Sequence, residues 1–353
     1  MTYPGLPDFD HERVTTVVGE RSGATITVAL HSSRLGPALG GCRLWNYDSW
    51  LDGVVDALRL SSAMTLKNAA AGLNAGGGKS VIALRRGEVL DPQRRRNALL
   101  DLGDLVETFD GRYRTAEDVG TNEADMGVVA ERTPHVVGLP AQGGGTGNPA
   151  HDTALGVYAS IGATLEAMGA PGIVGKTITI SGLGQVGGRL AKLLAADGAQ
   201  LIVADVNPAC RALADELGAQ WVSIEEVLVT RAHVFVPAAL GGVLTDDVID
   251  ALPVRAVVGP ANNPLAHREG ADRLAERGIL YAPDFVVNAG GVIYLTMAAE
   301  GADRSIIDDR VRGIGDTLRA AFRDADEKGI TPLAAAEGIA AARLADAIGR
   351  SHS

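Results

Sequence analysis

Lys67 and Lys79 are the only lysines in the first 175 residues, in a chain with 32 basic residues in all. The other basic side chains in that stretch are arginines or histidines. Arginine keeps its proton at any working pH, whereas a buried lysine can lose it. Two lysines flanking a glycine loop, Gly76-Gly77-Gly78, therefore suggest chemistry that needs an amine, either a compact cation or a general base; Gly40 and Gly41 likewise read as glycines of a site loop. Such a base needs its pKa brought from about 10.4 to roughly 7–8, on the order of 3–5 kcal/mol. Desolvation and a second positive charge both act in that direction. Two plainer readings compete. Lys79-Ser80 after glycines resembles a phosphate-binding P-loop, but G-x-x-x-x-G-K-[ST] requires glycine at position 73, where the chain has Leu73. The other is a chance pair of solvated lysines, which the spacing alone does not exclude.

A second chemical signal lies in Gly182-Leu183-Gly184-Gln185-Val186-Gly187. It fits G-x-G-x-x-G, with a strand pattern (Thr177–Ser181) before it and a helical pattern after it, the context a dinucleotide fingerprint requires. The glycines allow a tight turn, close approach to a pyrophosphate and close helix–strand packing. The pyrophosphate would rest on the helix N-terminus. Asp205 stands 18 residues after Gly187, where a carboxylate binds the hydroxyls of an adenosine ribose and repels a 2′-phosphate. No arginine follows closely, which favours NAD over NADP. The competing reading is a glycine-rich turn with an unrelated aspartate.

The elements that must carry these residues follow from periodicity. Thr25–Leu30 reads as a strand, Leu51, Val54, Val55 and Leu58 as one face of a helix running towards Lys67, Val81–Leu84 as a short strand, and Pro92–Phe109 as a helix. Gly143-Gly144-Gly145-Thr146-Gly147-Asn148-Pro149 excludes regular structure and marks a hinge. Beyond it, apolar runs at Thr177–Ser181, Leu201–Ala204, Val234–Val236, Ala256–Val258 and Ile279–Tyr281 alternate with helical patterns. That alternation argues for a parallel sheet with crossover helices. After Gly291 the pattern is helical, including Ile306–Glu327 and Leu333–Ile348. The expected fold is α/β in two domains, residues 1–142 and a Rossmann-type domain over 143–329, with helices from about 330 to 353 returning to the first.

Composition narrows the classes. The formal net charge is −11, with no basic tract, a poor basis for binding nucleic acid. No run approaches 18 consecutive apolar residues, so no membrane span is expected. Asp8, Asp10, Glu12 and Arg13 near the start argue against a signal peptide. Cys42 and Cys210 lie far apart without metal-ligand spacing, so no metal site is expected and a reducing cytoplasm fits.

Seven segments occur in a fixed order: Gly36-Pro37-Ala38-Leu39-Gly40-Gly41-Cys42-Arg43, Met64-Thr65-Leu66-Lys67, Gly76-Gly77-Gly78-Lys79, Thr115-Ala116-Glu117-Asp118-Val119-Gly120-Thr121, Pro237-Ala238-Ala239-Leu240-Gly241-Gly242, Ala261-Asn262-Asn263 and Ala282–Gly291. Together they closely resemble the leucine/phenylalanine/valine branch of the amino-acid dehydrogenase superfamily that also contains glutamate dehydrogenase. The resemblance runs from about Leu35 to the last helices. It implies a substrate-binding and oligomerisation domain followed by an NAD-binding domain, a cleft between them, and a homo-oligomer. The activity it implies is reversible NAD-dependent oxidative deamination of an L-amino acid to the 2-oxo acid and ammonia.

By position, the resemblance makes Lys79 the general base that activates water and Asp118 its partner acid. Lys67, Asn262 and the backbone at Gly40 and Gly41 would bind the substrate carboxylate. Met64 would line the side-chain pocket with Leu39, Ala116, Val287 and Val292. Arg43, Thr153, Ala239, Leu240, Ala261, Asn262 and Asn288 match positions around the nicotinamide or its ribose, beside the fingerprint residues Gly182, Leu183, Gly184, Gln185, Val186, Gly187 and Asp205. Pro260, Trp45-Asn46 and Asp152 depart from the usual pattern. With no basic residue evident for a second substrate carboxylate, a hydrophobic amino acid is expected. The texture leans to phenylalanine, with leucine or valine as the alternative. An amine dehydrogenase and a non-catalytic NAD-binding protein are remoter readings, since neither would need the full set of Lys67, Lys79, Asp118 and Asn262.

Overall fold

The computed structural model describes residues 9–140 and 146–351. Gly143, Gly144 and Gly145, expected as a hinge, lie outside the described residues. Contacts divide the chain into two compact units. The first comprises Met1–Asn148, Ala298–Gly301 and Ala340–Ser353, the second Pro149–Met297 and Ala302–Ile339. The division thus falls after Asn148, and only the end of the last helix clusters with the first unit.

The first unit contains β1 (Arg13–Val18), β2 (Thr25–Ser32), β3 (Ala38–Tyr47), α1 (Trp50–Ala70), β4 (Gly76–Arg85), α2 (Pro92–Glu107), β5 (Tyr113–Glu117) and α3 (Glu123–Val129). Its five strands lie in the order β1-β2-β4-β3-β5. β1 and β2, and β2 and β4, pair antiparallel, while β3 runs parallel to both β4 and β5. Side chains alternate between the two faces of a sheet. On one face Ile26, Val28, Leu30, Ile82 and Leu84 pack with Leu99, Leu102 and Val106 of α2 and Met126 of α3. On the other, Ala29 and Val81 meet Ala57 and Leu58 of α1. Lys79 lies in register with Val81, so it belongs to the α1 face. Helix α1 begins at a capping box formed by Ser49 and Asp52, which satisfies N–H groups that would otherwise lack partners.

The glycine segments were expected as loops beside strands, but Gly40, Gly41 and Gly76–Gly78 lie inside β3 and β4. Packing explains this. A Cβ on Gly40 would stand 1.7 Å from the carbonyl oxygen of Gly78, and one on Gly77 2.1 Å from the amide nitrogen of Thr65 in α1. Backbone fills the space that side chains occupy in an ordinary strand.

The second unit begins with α4 (Ala150–Ala167) and continues through β6 (Thr177–Ser181), α5 (Gln185–Ala196), β7 (Gln200–Ala204), α6 (Arg211–Glu216), β8 (Gln220–Trp221) and α7 (Ile224–Val229). There follow β9 (Ala232–Pro237), α8 (Asp246–Ala251), β10 (Val254–Val257), α9 (Gly270–Glu276), β11 (Leu280–Tyr281), α10 (Asp284–Val287) and α11 (Gly290–Ala299). The chain ends with α12 (Arg304–Arg312), α13 (Ile314–Lys328) and α14 (Pro332–Ser351). Its six strands are all parallel, in the order β11-β10-β9-β6-β7-β8. This is the doubly wound Rossmann topology, whose strand order reverses between β6 and β9, the place where such sheets bind ligands. The helix read from sequence as one run over Ile306–Glu327 is two, broken at Gly313. No helix among the described residues is long and apolar enough to cross a membrane.

Candidate active site

Lys79 is 4% exposed, and its Nζ lies 2.8 Å from Asp118 Oδ2. The same carboxylate oxygen accepts a 3.1 Å hydrogen bond from Arg43 Nε. Arg43 also donates from Nη1 to Asp56 of α1 at 2.9 Å, and the Tyr47 hydroxyl donates to that acid at 2.7 Å. Burial is the largest single influence on Asp118 and would raise its carboxyl. Lys79 and Arg43 together outweigh it and hold the group below the usual carboxylate range. Asp56 behaves alike: burial pushes it up, but Tyr47, Arg59 and Arg43 bring it below the ordinary value.

The strand end that carries Asp118 is pinned locally. Its N–H donates to Thr121 Oγ1 (2.9 Å), and the Thr121 hydroxyl donates to the Cys42 carbonyl of β3 (2.8 Å). Gly120 turns the chain at φ +83°, with its Cα so near β3 that a Cβ would lie 2.0 Å from the Leu44 carbonyl oxygen. Gly41 sits under the acid: a Cβ there would be 2.9 Å from Asp118 Cβ. Met64 and Lys67, three residues apart and both half-buried, share one side of the last turns of α1. Thr65 lies over Gly77, two residues from Lys79. Asn68 Nδ2 donates to the Gly76 carbonyl at 2.5 Å and fastens the end of α1 to the start of β4. Lys79, Asp118, Arg43 and Gly41 are thus joined directly, and Lys67 and Met64 are carried by the helix packed over them. Leu39 and Ala116, expected to line a pocket, are buried in the sheet.

In the second unit Gly182 follows β6 at φ +110°, and a Cβ on Gly187 would stand 2.0 Å from the Gly182 carbonyl oxygen. Helix α5 starts at Gln185 with Gly184 as its N-cap and no side-chain cap, leaving its first N–H groups available to an anion. Asp205, just after β7, accepts from the N–H of Leu183 at 2.6 Å and from that of Asn207 at 2.7 Å, which ties the acid to the loop. Ala239 touches the same loop, its Cβ 3.0 Å from where a Cβ on Gly182 would be, whereas Leu240 is 85% exposed.

A second group forms around Asn288. Its Nδ2 donates to Asn262 Oδ1 (2.8 Å) and to the Pro260 carbonyl (3.2 Å). Two acceptors on that nitrogen fix the amide orientation and leave the buried Asn288 Oδ1 without a partner among the described residues. Ala261 is buried beside them. Thr153 Oγ1 lies 2.6 Å from where a Cβ on Gly291 would be, three residues beyond Asn288. Two of the three departures from the family pattern, Pro260 and Asp152, resolve simply. Pro260 contributes only its carbonyl, so its missing N–H is not needed. The Asp152 carboxylate pairs with Arg304 at 2.6 Å and is 2% exposed. An uncapped helix start over a glycine cradle and an orphaned amide acceptor suit the pyrophosphate and the carboxamide of a nicotinamide dinucleotide. Among the described residues no group of three His, Cys, Asp or Glu is placed to hold a metal ion.

Sequence reasoning did not find Tyr47, Asp56, Asn68 or Arg304. Each meets its partner only through the fold. Thr121 lay within a quoted segment without an assigned task.

A family profile described as "Glu/Leu/Phe/Val dehydrogenase, dimerisation domain" matches residues 12–135, and one described as "Glutamate/Leucine/Phenylalanine/Valine dehydrogenase" matches residues 206–350. A leucine dehydrogenase of Bacillus cereus is 40% identical over 344 residues, covering 96% of this chain and 92% of that protein. A valine dehydrogenase of Streptomyces coelicolor is 41% identical over 344 residues, covering 96% and 93%. Among solved structures, L-tryptophan dehydrogenase from Nostoc punctiforme superposes with a TM-score of 0.82 at 34% identity, covering 96% of each chain. With the two profiles, the identity and the coverage in agreement, the chain belongs to the Glu/Leu/Phe/Val dehydrogenase family and is an amino-acid dehydrogenase.

Proposed function

We propose that the protein is an NAD-dependent dehydrogenase of branched-chain aliphatic L-amino acids, converting them reversibly to the 2-oxo acid and ammonia. The leaning to phenylalanine gives way, because the similar curated relatives named above are a leucine and a valine dehydrogenase. The observation that carries the catalytic part is the buried Lys79–Asp118 pair, 2.8 Å apart, shared with Arg43. In this reading Lys67, Asn262 and the backbone of Gly40 and Gly41 hold the substrate carboxylate. Asp118 faces the amino group and receives the Lys79 proton, and the neutral Lys79 amine then takes a proton from the water that attacks the imine carbon. NAD, when bound, supplies the acceptor for the hydride. Gly182–Gly187 would cradle its pyrophosphate, Asp205 the adenosine ribose, and Thr153, Ala261 and Asn288 the nicotinamide end, with Arg43, Ala239 and Leu240 as flanking contacts. A carboxylate at Asp205 supports NAD over NADP by charge repulsion. Homo-oligomerisation is part of the reading, supported by the family description of residues 12–135 as a dimerisation domain. Cytoplasmic residence is also part of it.

A second reading, an enzyme of aromatic amino acids, rests on the likeness to the tryptophan dehydrogenase. A panel of L-amino acids with NAD and NADP, followed by absorbance of the reduced cofactor, decides between them. Leucine, valine and isoleucine are expected to lead with NAD. Tryptophan or phenylalanine in first place would favour the second reading, and no turnover of any of the five would overturn both.

A further inference from the structure

Tyr113 is fully buried, and nothing in the proposed chemistry uses it. It opens β5 and lies on the sheet face opposite Lys79. Its ring packs beneath Gly78, where a Cβ would be 2.6 Å from Cδ2, and meets Phe109 edge-on. Its hydroxyl is 2.7 Å from the Gly40 carbonyl oxygen of β3, 3.1 Å from Ser80 Oγ of β4 and 3.5 Å from Thr115 Oγ1 of β5. One phenol therefore touches three strands and reaches both neighbours of Lys79. It has one proton to give. A carbonyl can only accept, whereas Ser80 and Thr115 can donate as well, so the proton goes to Gly40. Burial is the main cause of a phenol pKa raised far above its ordinary value, which keeps that donor neutral.

The carbonyl of Gly40 and the N–H of Gly41 belong to one planar trans peptide and point in opposite directions. Fixing the carbonyl fixes the direction of that N–H. Neither glycine has a Cβ to restrict the peptide. The β5 side of β3 pairs through Gly40↔Thr115 and Gly41↔Ala116, but the β4 side runs through Leu39↔Gly77 and resumes at Cys42↔Ser80, passing over both glycines. The Tyr113 hydroxyl adds a second hold on a peptide that the sheet pairs on one side only. We infer that Tyr113 is a positioning residue for substrate carboxylate recognition, its hydroxyl setting the Gly40–Gly41 peptide on which the carboxylate rests. This deepens the proposed function and rests on its assignment of Gly40 and Gly41 to the substrate carboxylate.

Tyr113→Phe keeps the ring and removes the brace. The test compares full-length wild type and variant for kcat and KM with L-leucine, and for inhibition by 4-methylpentanoate, which keeps the carboxylate, and by 3-methylbutylamine, which keeps the amine. The expected result is an L-leucine KM and a 4-methylpentanoate inhibition constant both raised about tenfold, with kcat within about twofold. The amine inhibition constant and the NAD dissociation constant should not change. Ser80→Ala removes the neighbouring hydroxyl but leaves the Gly40 bond, and should leave 4-methylpentanoate inhibition as in wild type. Equal weakening by amine and carboxylate, an unchanged carboxylate constant in Tyr113→Phe, or a matching loss in Ser80→Ala would each overturn the inference. Wild type that turns over no branched-chain amino acid would instead overturn the proposed function. A thermal melt of each variant separates lost recognition from lost fold.

Discussion

Asp118→Asn keeps the shape of the side chain and removes its charge. In the folded protein that carboxylate is the acceptor between Lys79 Nζ at 2.8 Å and Arg43 Nε at 3.1 Å, with side-chain exposures of 5%, 19% and 19% for Lys79, Asp118 and Arg43. Both cations meet Oδ2, so an amide oxygen in that place can still accept from both, and what is lost is the negative charge between them. Removing one partner of a buried ion pair costs about 3–5 kcal/mol. The retained acceptor places this substitution near the lower end, about 3 kcal/mol. At roughly 2–4 °C per kcal/mol for a domain of this size, Tm falls by roughly 6–12 °C. The pH dependence follows from the direction of the shift. The folded Asp118 carboxyl lies below its ordinary value. Its contribution is therefore fully present above the unfolded value of about 3.9 and is lost as pH falls through the lower folded value. Melts of both proteins between pH 8 and pH 3 should show a constant gap down to about pH 5 that closes in stronger acid. Turnover at neutral pH should fall by about 10²–10⁴. Equal Tm values at pH 7, or a gap of full size at pH 3, would show that the two cations do not depend on this carboxylate.

Two further outcomes test other parts of the structure. Lys79→Ala should leave NAD affinity within about twofold by titration calorimetry while kcat drops by at least about 10²; retention of wild-type rates removes Lys79 from the mechanism. Arg304→Ala leaves the buried Asp152 without its partner and should lower stability by about 2–3 kcal/mol in urea unfolding, below the full range for a broken buried pair because Arg304 is itself 47% exposed and water can reach the gap. Adding Asp152→Asn to Arg304→Ala should restore most of that loss, and a double variant no more stable than the single would refute the pairing.

How much could be read in advance depended on where each signal resides. The strands Thr177–Ser181 and Leu201–Ala204 and the Gly182–Gly187 loop were readable because the fingerprint is local: each glycine answers to a backbone contact within its own strand–loop–helix unit, as Gly187 does to the Gly182 carbonyl. β3 and β4 were not readable as they stand. Their glycines suggested loops, and only the crossing of Gly40 over Gly78 and of Gly77 under Thr65 shows that a strand without side chains fits there. Lys79 could be singled out from residue type, and Asp118 could be named through the family resemblance. Asp56 could not, since an acid in the second turn of a helix carries no mark of the Arg43 it meets across 13 residues.

That acid decides how the site tolerates burial. Lys79 and Arg43 bring two positive charges to the α1 face, Asp118 and Asp56 two negative ones, and each charge lies within 3.1 Å of an opposite partner. Burying an unbalanced charge costs several kcal/mol, whereas a neutral set with its hydrogen bonds made is tolerable. Arg59 also reaches Asp56, but it is 54% exposed and contributes a solvated charge that water already screens. The buried set alone therefore offers no net attraction to a substrate carboxylate. An amino acid is a zwitterion, so recognising both ends requires a cation outside this balanced group. In the proposed function Lys67 meets that requirement: α1 carries it in its last turn, three turns beyond Asp56 on the same helix. In the proposed function the two lysines that first drew attention by type therefore divide by electrostatics, Lys79 inside a neutral network and Lys67 meeting the incoming carboxylate.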